Sequence, residues 1–296
     1  MKIAFITPFP PYRGGISKHS ENLYSSFINH VDIKIFNFKR QYPSFLFPGK
    51  TQYRTDTYNS DKFNSKRTID SINPISWSNT VKKINKEQFD VLLIRYWHPF
   101  FIPCYNYIAK FIKKNNSKIK IFSICDNIIP HENFILNKYF VRKFLKKMDG
   151  IIVMSKNVEE ELLEISKNFN YKKLFLPIID DQNINNEEIF IKKNDKKKIT
   201  FLFFGLIRKY KGLDILLLAL NNIDKRLLDS FELIIVGESY EKIENYKSIL
   251  NTDVKKNVTW INEYVLDNDV NKYFLSSDFV VLPYKSASQS AIIPMA

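Results

Sequence analysis

The stretch Phe203–Leu220, FFGLIRKYKGLDILLLAL, decides how this chain is read. It follows KITFLFFG (198–205), an apolar and β-branched run of the kind buried on both faces of a parallel sheet. The run stops at Gly205, passes through a basic loop with Arg208, Lys209 and Lys211, and enters an apolar helical pattern after Gly212. A strand, a short cationic turn and a helix place peptide N–H groups and side-chain cations at the carboxyl edge of a sheet, where phosphate groups sit. Arginine offers a planar fork and lysine a point charge, so Arg208 and Lys211 are candidate diphosphate ligands. The competing reading is a solvated loop with incidental lysines; the position at a strand end favours the ligand role.

The same layout opens the chain. KIAFITPFPPYRGGISKHS runs from a strand (2–8) into a loop with Gly14-Gly15 and a helix from Ser17, a second anion-binding position at a sheet edge. A glycine pair before a helix also occurs as a plain turn, and the dinucleotide pattern G-x-G-x-x-G is absent. Further strands are expected at 31–38, 89–97, 118–125, 150–155 and 173–178, with helices at 17–29, 78–87, 103–115, 132–147 and 157–167. A polar stretch follows, and a second series begins: strands at 198–205, 231–237, 257–262 and 278–284, helices at 212–221, 240–250 and 267–276. The pattern predicts an N-terminal Rossmann-like domain over 1–180, a linker over 181–198 and a second α/β domain over 199–296.

Composition bounds the function. Of 296 residues, 45 are Lys or Arg and 31 Asp or Glu, a formal charge of +14. Up to Gly150 there are 25 basic and 10 acidic residues, whereas the remainder holds 20 and 21, so the excess belongs to the N-terminal half. Such asymmetry suggests an anionic partner, although an AT-rich coding bias toward lysine contributes. Cys104 and Cys125 are too few for a disulfide framework and lack zinc-site spacing, so a reducing compartment and no metal are expected. No signal-peptide core and no uncharged apolar run of about 18 residues is visible, which points to the cytoplasm. SICDNIIPHE places Asp126 and His131 just past a strand end, as candidate proton-transfer groups.

These segments, in this order, resemble the glycosyltransferases of the GT-B fold, specifically glycosyltransferase family 4. PPYRGGIS is similar to that family's first glycine loop, and FFGLIRKYKG to its diphosphate-binding strand, loop and helix. NFKRQYP (37–43), FPGKTQ (47–52), IRYWHPFFIP (94–103) and DNIIPHE (126–132) resemble segments of a bacterial subset. The resemblance implies two Rossmann-like domains with mostly parallel sheets facing a cleft. It implies a nucleotide-diphosphate sugar as donor, a glycan or lipid-linked acceptor hydroxyl, retention at the anomeric carbon, and a place in cell-surface polysaccharide synthesis. It also implies that Arg208 and Lys211 grip the diphosphate, that Gly14 and Gly15 approach the donor phosphates, and that no metal or other cofactor takes part.

Two departures qualify it. The family commonly carries two glutamates eight positions apart near the donor sugar, and here PYKSASQSAIIPMA puts Ala287 and Met295 at those places, leaving Ser288, Gln289 and Ser290 as candidate donor-binding residues. Asp126 stands where many members have a histidine. The family also continues beyond the position of Ala296, so the second domain is expected to be incomplete, and an inactive remnant that keeps acceptor or membrane binding is the alternative function. NFILNKYFVRKFLKKM (133–148) interleaves aromatic and basic residues in a way suited to an anionic membrane surface on the inner face of the cell membrane, or to a sheet-covering helix. Nucleic-acid binding and a dehydrogenase are disfavoured, because no finger, helix-turn-helix, RNA-sheet or dinucleotide motif is present.

Overall fold

The computed structural model describes residues 1–47, 49–54, 62–129, 135–177, 198–287 and 290–296. The chain divides into two compact units, Met1–Phe47 with Thr51–Leu176, and Pro48–Lys50 with Pro177–Ala296. The expected linker at 181–198 lies almost wholly outside the described residues.

The first unit is a seven-stranded parallel sheet. Its strands are β1 (Lys2–Ile6), β2 (Asp32–Arg40), β3 (Ser65–Asp70), β4 (Val91–Tyr96), β5 (Lys120–Cys125), β6 (Gly150–Val153) and β7 (Tyr171–Lys173), in the order β3-β2-β1-β4-β5-β6-β7. The helices are α1 (Gly15–Phe27), α2 (Pro74–Glu87), α3 (Ile102–Asn115), α4 (Ile135–Leu145) and α5 (Lys156–Ile165). Both faces are covered: Ile3 and Phe5 of β1 enter one apolar cluster, and Ala4 and Ile6 the other. That is why these strands read as continuous apolar runs. Helix starts follow local chemistry: the Asn73 side chain accepts from Ile75 N–H at 2.9 Å with Pro74 behind it, and Ser155 Oγ accepts from Val158 N–H at 3.2 Å.

Two strands differ from expectation. β3 is polar, SKRTID, with only Thr68 and Ile69 buried, as befits the outermost position of the sheet. β7 ends at Lys173 because its partner β6 has only four residues; the apolar residues 174–177 lie past the pairing, with Phe175 89% exposed, and Ile178 of the expected strand lies outside the described residues.

The second unit holds β8 (Ile199–Phe204), β9 (Phe231–Val236), β10 (Val258–Ile261) and β11 (Phe279–Val280), all parallel, in the order β10-β9-β8-β11. This repeats the arrangement β3-β2-β1-β4 of the first unit, the order of a Rossmann half. Its helices are α6 (Leu213–Asn221), α7 (Ile243–Lys247), α8 (Thr252–Lys255) and α9 (Asp267–Leu275). The helix expected over 240–250 is shorter, since the Asn221 amide donates to Ile249 C=O at 2.7 Å and accepts from Asn251 N–H at 2.9 Å, and the chain turns there before α8. β11 is confined to two residues that pair with Phe201 and Leu202, where a strand over 278–284 was expected.

Candidate functional site

In the first unit, α1 begins at Gly15 with Gly14 at φ 101°, a backbone conformation that glycine adopts freely. Among the described residues no side chain caps this helix end, and its first turn carries no acid, so the positive end of the dipole faces a site that suits an anion. Ser17, in that first turn, is buried and its hydroxyl has no hydrogen-bond partner among the described residues. The preceding loop is clasped by Asn37 of β2, whose amide donates to Phe9 C=O at 2.8 Å and accepts from Phe9 N–H at 3.2 Å.

At the same carboxyl edge lies a buried polar cluster that sequence reasoning largely missed. Arg95, the penultimate residue of β4, is only 1% exposed. Its Nε donates to Asp126 Oδ2 at 2.7 Å and its Nη2 to Asp126 Oδ1 at 2.5 Å. Nη2 also donates to His19 Nδ1 at 2.7 Å, and Nη1 reaches Ser20 Oγ at 3.4 Å. Ser20 Oγ donates to Ile16 C=O and lies 2.6 Å from Thr7 Oγ1. One guanidinium thus ties β5 to α1 and to the end of β1. Because Arg95 donates to Nδ1, His19 is neutral with its proton on Nε2. Burial, and then the Arg95 charge, lower its pKa from 6.5 to about 4, against the opposing pull of Asp126. Asp126 is 3% exposed with both carboxylate oxygens on Arg95, a geometry that orients the loop and α1. His131 lies outside the described residues.

The second unit carries a different kind of rim. β8 ends at Gly205, with φ +94°, and a Cβ there would meet Lys211 Nζ at 2.9 Å, so the bare glycine makes room for the ammonium. Gly212, at φ +69°, closes the loop; its Cβ would stand 1.9 Å from Pro283 C=O, so only glycine lets 283–285 pack on this turn. That packing is secured by Lys285 N–H donating to Tyr210 C=O at 2.8 Å and by the Lys285–Asp214 ion pair at 2.5 Å. Arg208 lies with its guanidinium carbon 4.6 Å from the Tyr240 ring centroid, and Lys211 Nζ is 5.7 Å from that of Tyr284. Among the described residues, neither cation has a carboxylate partner or a side-chain hydrogen bond. Lys211 is 8% exposed; burial, reinforced by the charge of Arg208, lowers its pKa to about 8. A buried ammonium without an anion is costly by itself and becomes favourable when an anion arrives.

The structure therefore brings Lys211 together with Tyr284 of the segment 283–287, and Ser290 Oγ, which accepts from Ile292 N–H at 3.3 Å, lies near Tyr284. Ser288 and Gln289 lie outside the described residues. No group of three or more His, Cys, Asp or Glu side chains is placed to hold a metal ion among the described residues. Nor is any described helix long and apolar enough to cross a membrane.

Residues 185–291 match the family model described as glycosyl transferases group 1. That part of the chain is similar to the group 1 glycosyl transferases. An uncharacterized glycosyltransferase of Methanocaldococcus jannaschii is 24% identical over 298 aligned residues, covering 97% of this chain and 73% of the relative. Among solved structures, sucrose-phosphate synthase from Thermosynechococcus elongatus superposes with a TM-score of 0.73 at 13% identity, covering 100% of this chain and 78% of that one. WaaG, a glycosyltransferase involved in lipopolysaccharide biosynthesis, gives a TM-score of 0.64 at 14% identity, covering 98% and 77%. At these identities the structural likeness is one of fold alone.

Proposed function

We propose that this glycosyltransferase moves a sugar from a nucleoside-diphosphate donor to a hydroxyl of a glycan or lipid-linked acceptor, with retention, in the synthesis of cell-surface polysaccharide. The observation that carries the donor reading is the pair Arg208 and Lys211, gathered at the carboxyl end of β8 without a carboxylate partner among the described residues. In the reaction the bond from the anomeric carbon to the diphosphate breaks, the acceptor oxygen bonds to that carbon, and the hydroxyl proton passes to the departing phosphate. Charge grows on the diphosphate as the bond breaks, and two preplaced cations in a dry site stabilise it most strongly at that moment. The Tyr240 and Tyr284 rings hold both cations in position. In the first unit, the uncapped end of α1 with Gly14 and Gly15 is a further anion position, and the Arg95–Asp126 pair fixes that helix, which makes Asp126 a positioning residue in this reading.

The test is thermal unfolding in the presence of UDP, GDP and ADP. A nucleotide held at the β8 rim stabilises the protein by about 2.7 kcal/mol at a hundredfold excess over Kd. The shift is expected for at least one nucleotide and is expected to shrink to about half or less in Arg208→Ala and in Lys211→Ala at the same nucleotide concentration. An unchanged shift in both variants, or none in the parent, would contradict the donor assignment.

A further inference from the structure

The donor rim gives no role to residues 37–43, to 94–103 or to Gln52 at the end of 47–52, and these converge within the first unit. β2, β1 and β4 are neighbours in the sheet, so the loops that follow them share one stretch of its carboxyl edge. There the Gln52 amide accepts from Tyr42 N–H at 3.1 Å and donates to Tyr42 C=O at 2.9 Å, while Trp97 Nε1 donates to the Tyr42 hydroxyl at 3.0 Å. The Tyr42 ring stacks on Phe100 with centroids 5.5 Å apart. The loop before α1 is tied to the same place. Arg13 N–H donates to Gln52 C=O at 3.0 Å and Arg54 N–H to Pro11 C=O at 2.8 Å, an antiparallel bridge that sets Tyr12 beside Tyr53.

Tyr53 is the residue that this scaffold holds out to solvent. Its ring rests on that of Tyr12, which is 1% exposed, with centroids 5.0 Å apart. Its hydroxyl is engaged twice: it donates to Lys39 C=O at 3.4 Å and accepts from Arg67 Nη2 at 3.1 Å. Arg67 is itself fixed, through Nε on Phe38 C=O at 2.9 Å and Nη2 on Lys39 C=O at 2.7 Å, and its guanidinium carbon stands 5.3 Å from the Tyr53 centroid and 5.6 Å from that of Tyr12. A side chain tied at its backbone, at its hydroxyl and along one ring face is immobile before any ligand arrives, yet Tyr53 is 38% exposed. With the hydroxyl proton already donated, the ring face is what it presents. Such preorganisation lowers the entropic cost of binding a rigid, flat partner. A pyranose is one: the C–H bonds of one ring face point at the negative face of an aromatic ring. An acyl chain has no fixed flat face and draws no advantage from an immobile ring.

We propose that Tyr53 is a stacking platform for a pyranose ring of the acceptor, so that the acceptor meets this edge as a saccharide. Tyr53 is then a specificity-determining residue, with Tyr12 and Arg67 as the residues that position it; this rests on the acceptor half of the reaction proposed above. The platform belongs to the first unit alone. Its loss leaves nucleotide-induced stabilisation untouched, and loss of nucleotide binding leaves the platform in place.

The experiment is saturation-transfer NMR on the full chain, with the methyl glycosides of glucose, galactose, mannose and N-acetylglucosamine as probes, and with uridine and octanoate as controls for a nucleobase and an acyl chain. At least one glycoside should receive saturation, strongest at the protons of one ring face, and those protons should shift upfield under the aromatic ring current. Tyr53→Leu should weaken that binding by about 2–10-fold. Tyr53→Phe, which loses both hydroxyl hydrogen bonds and keeps the ring, should preserve the proton pattern, and it decides the matter together with the parent if Tyr53→Leu does not fold. The nucleotide shift in Tyr53→Leu should equal that of the parent. No transfer to any glycoside, saturation spread evenly over the sugar protons, equal glycoside affinity in parent and Tyr53→Leu, or a stronger response to uridine or octanoate would overturn the proposal. A parent that binds a glycoside and no nucleotide would sink the donor reading and leave the platform standing.

Discussion

His19 supplies a pH dependence whose size follows from its surroundings. Its Nδ1 accepts from Arg95 at 2.7 Å in a site where the imidazole is 6% exposed. A proton on that nitrogen would replace a hydrogen bond with a clash of two cations. The folded protein therefore resists protonation until about pH 4, while the unfolded chain takes up the proton near pH 6.5. Between these values the unfolded state binds more protons, so stability is full above pH 6.5 and falls as the pH drops toward 4. The difference, 6.5 − 4, corresponds to about 3 kcal/mol. For a unit of this size that is a fall of about 6–12 °C in Tm, beyond the loss from other groups. The reference is His19→Asn, in which the amide oxygen takes the place of Nδ1 as acceptor and does not titrate. Melting both proteins across this pH range should show a parent curve that steepens below pH 6.5 and a flatter variant curve. Parallel curves would refute the reasoning, and so would an imidazole NMR signal showing His19 doubly protonated at pH 5.5.

Other expectations concern the same two rims. Asp126→Asn leaves Arg95 charged and buried without a carboxylate and should cost about 3–5 kcal/mol in urea unfolding, most of which Arg95→Met combined with Asp126→Leu should restore. Gly212→Ala forces a Cβ to within 1.9 Å of Pro283 C=O, so the 283–287 segment must move; lowered Tm together with a lost nucleotide shift is the expected pair of results. Lys211, with its pKa at about 8, loses its charge as the pH rises through that value, so diphosphate affinity should fall above pH 8 in the parent and be flat in Lys211→Met, as read by calorimetry.

The parts of this fold that were legible in the sequence share one physical cause. β1, β4, β5, β8 and β9 are largely buried on both faces, so apolar residues dominate their runs and mark them as interior strands. β3 escaped notice because its position at the sheet margin requires only Thr68 and Ile69 to be apolar or buried. β7 was displaced because the chain carries apolar residues past the point where β6 stops pairing. The cations of the β8 loop were visible because glycines mark both ends of the turn. Arg95 was not, although an arginine inside FDVLLIRYW calls for a buried partner. Its partner Asp126 is 31 residues away and becomes its neighbour only because β4 and β5 lie side by side. His19 was hidden for the same reason: its chemistry is set by an arginine on a strand four elements further along the chain.

We propose that Arg208 and Lys211 form the diphosphate cradle of the second unit. Isothermal titration of UDP, GDP and ADP into the parent chain and into Arg208→Ala and Lys211→Ala addresses it most directly. At least one diphosphate should bind the parent, and each substitution should weaken it by 1.5–3 kcal/mol, about 10–150-fold, as expected for a lost charge-assisted contact. Equal affinity in all three proteins would contradict the account.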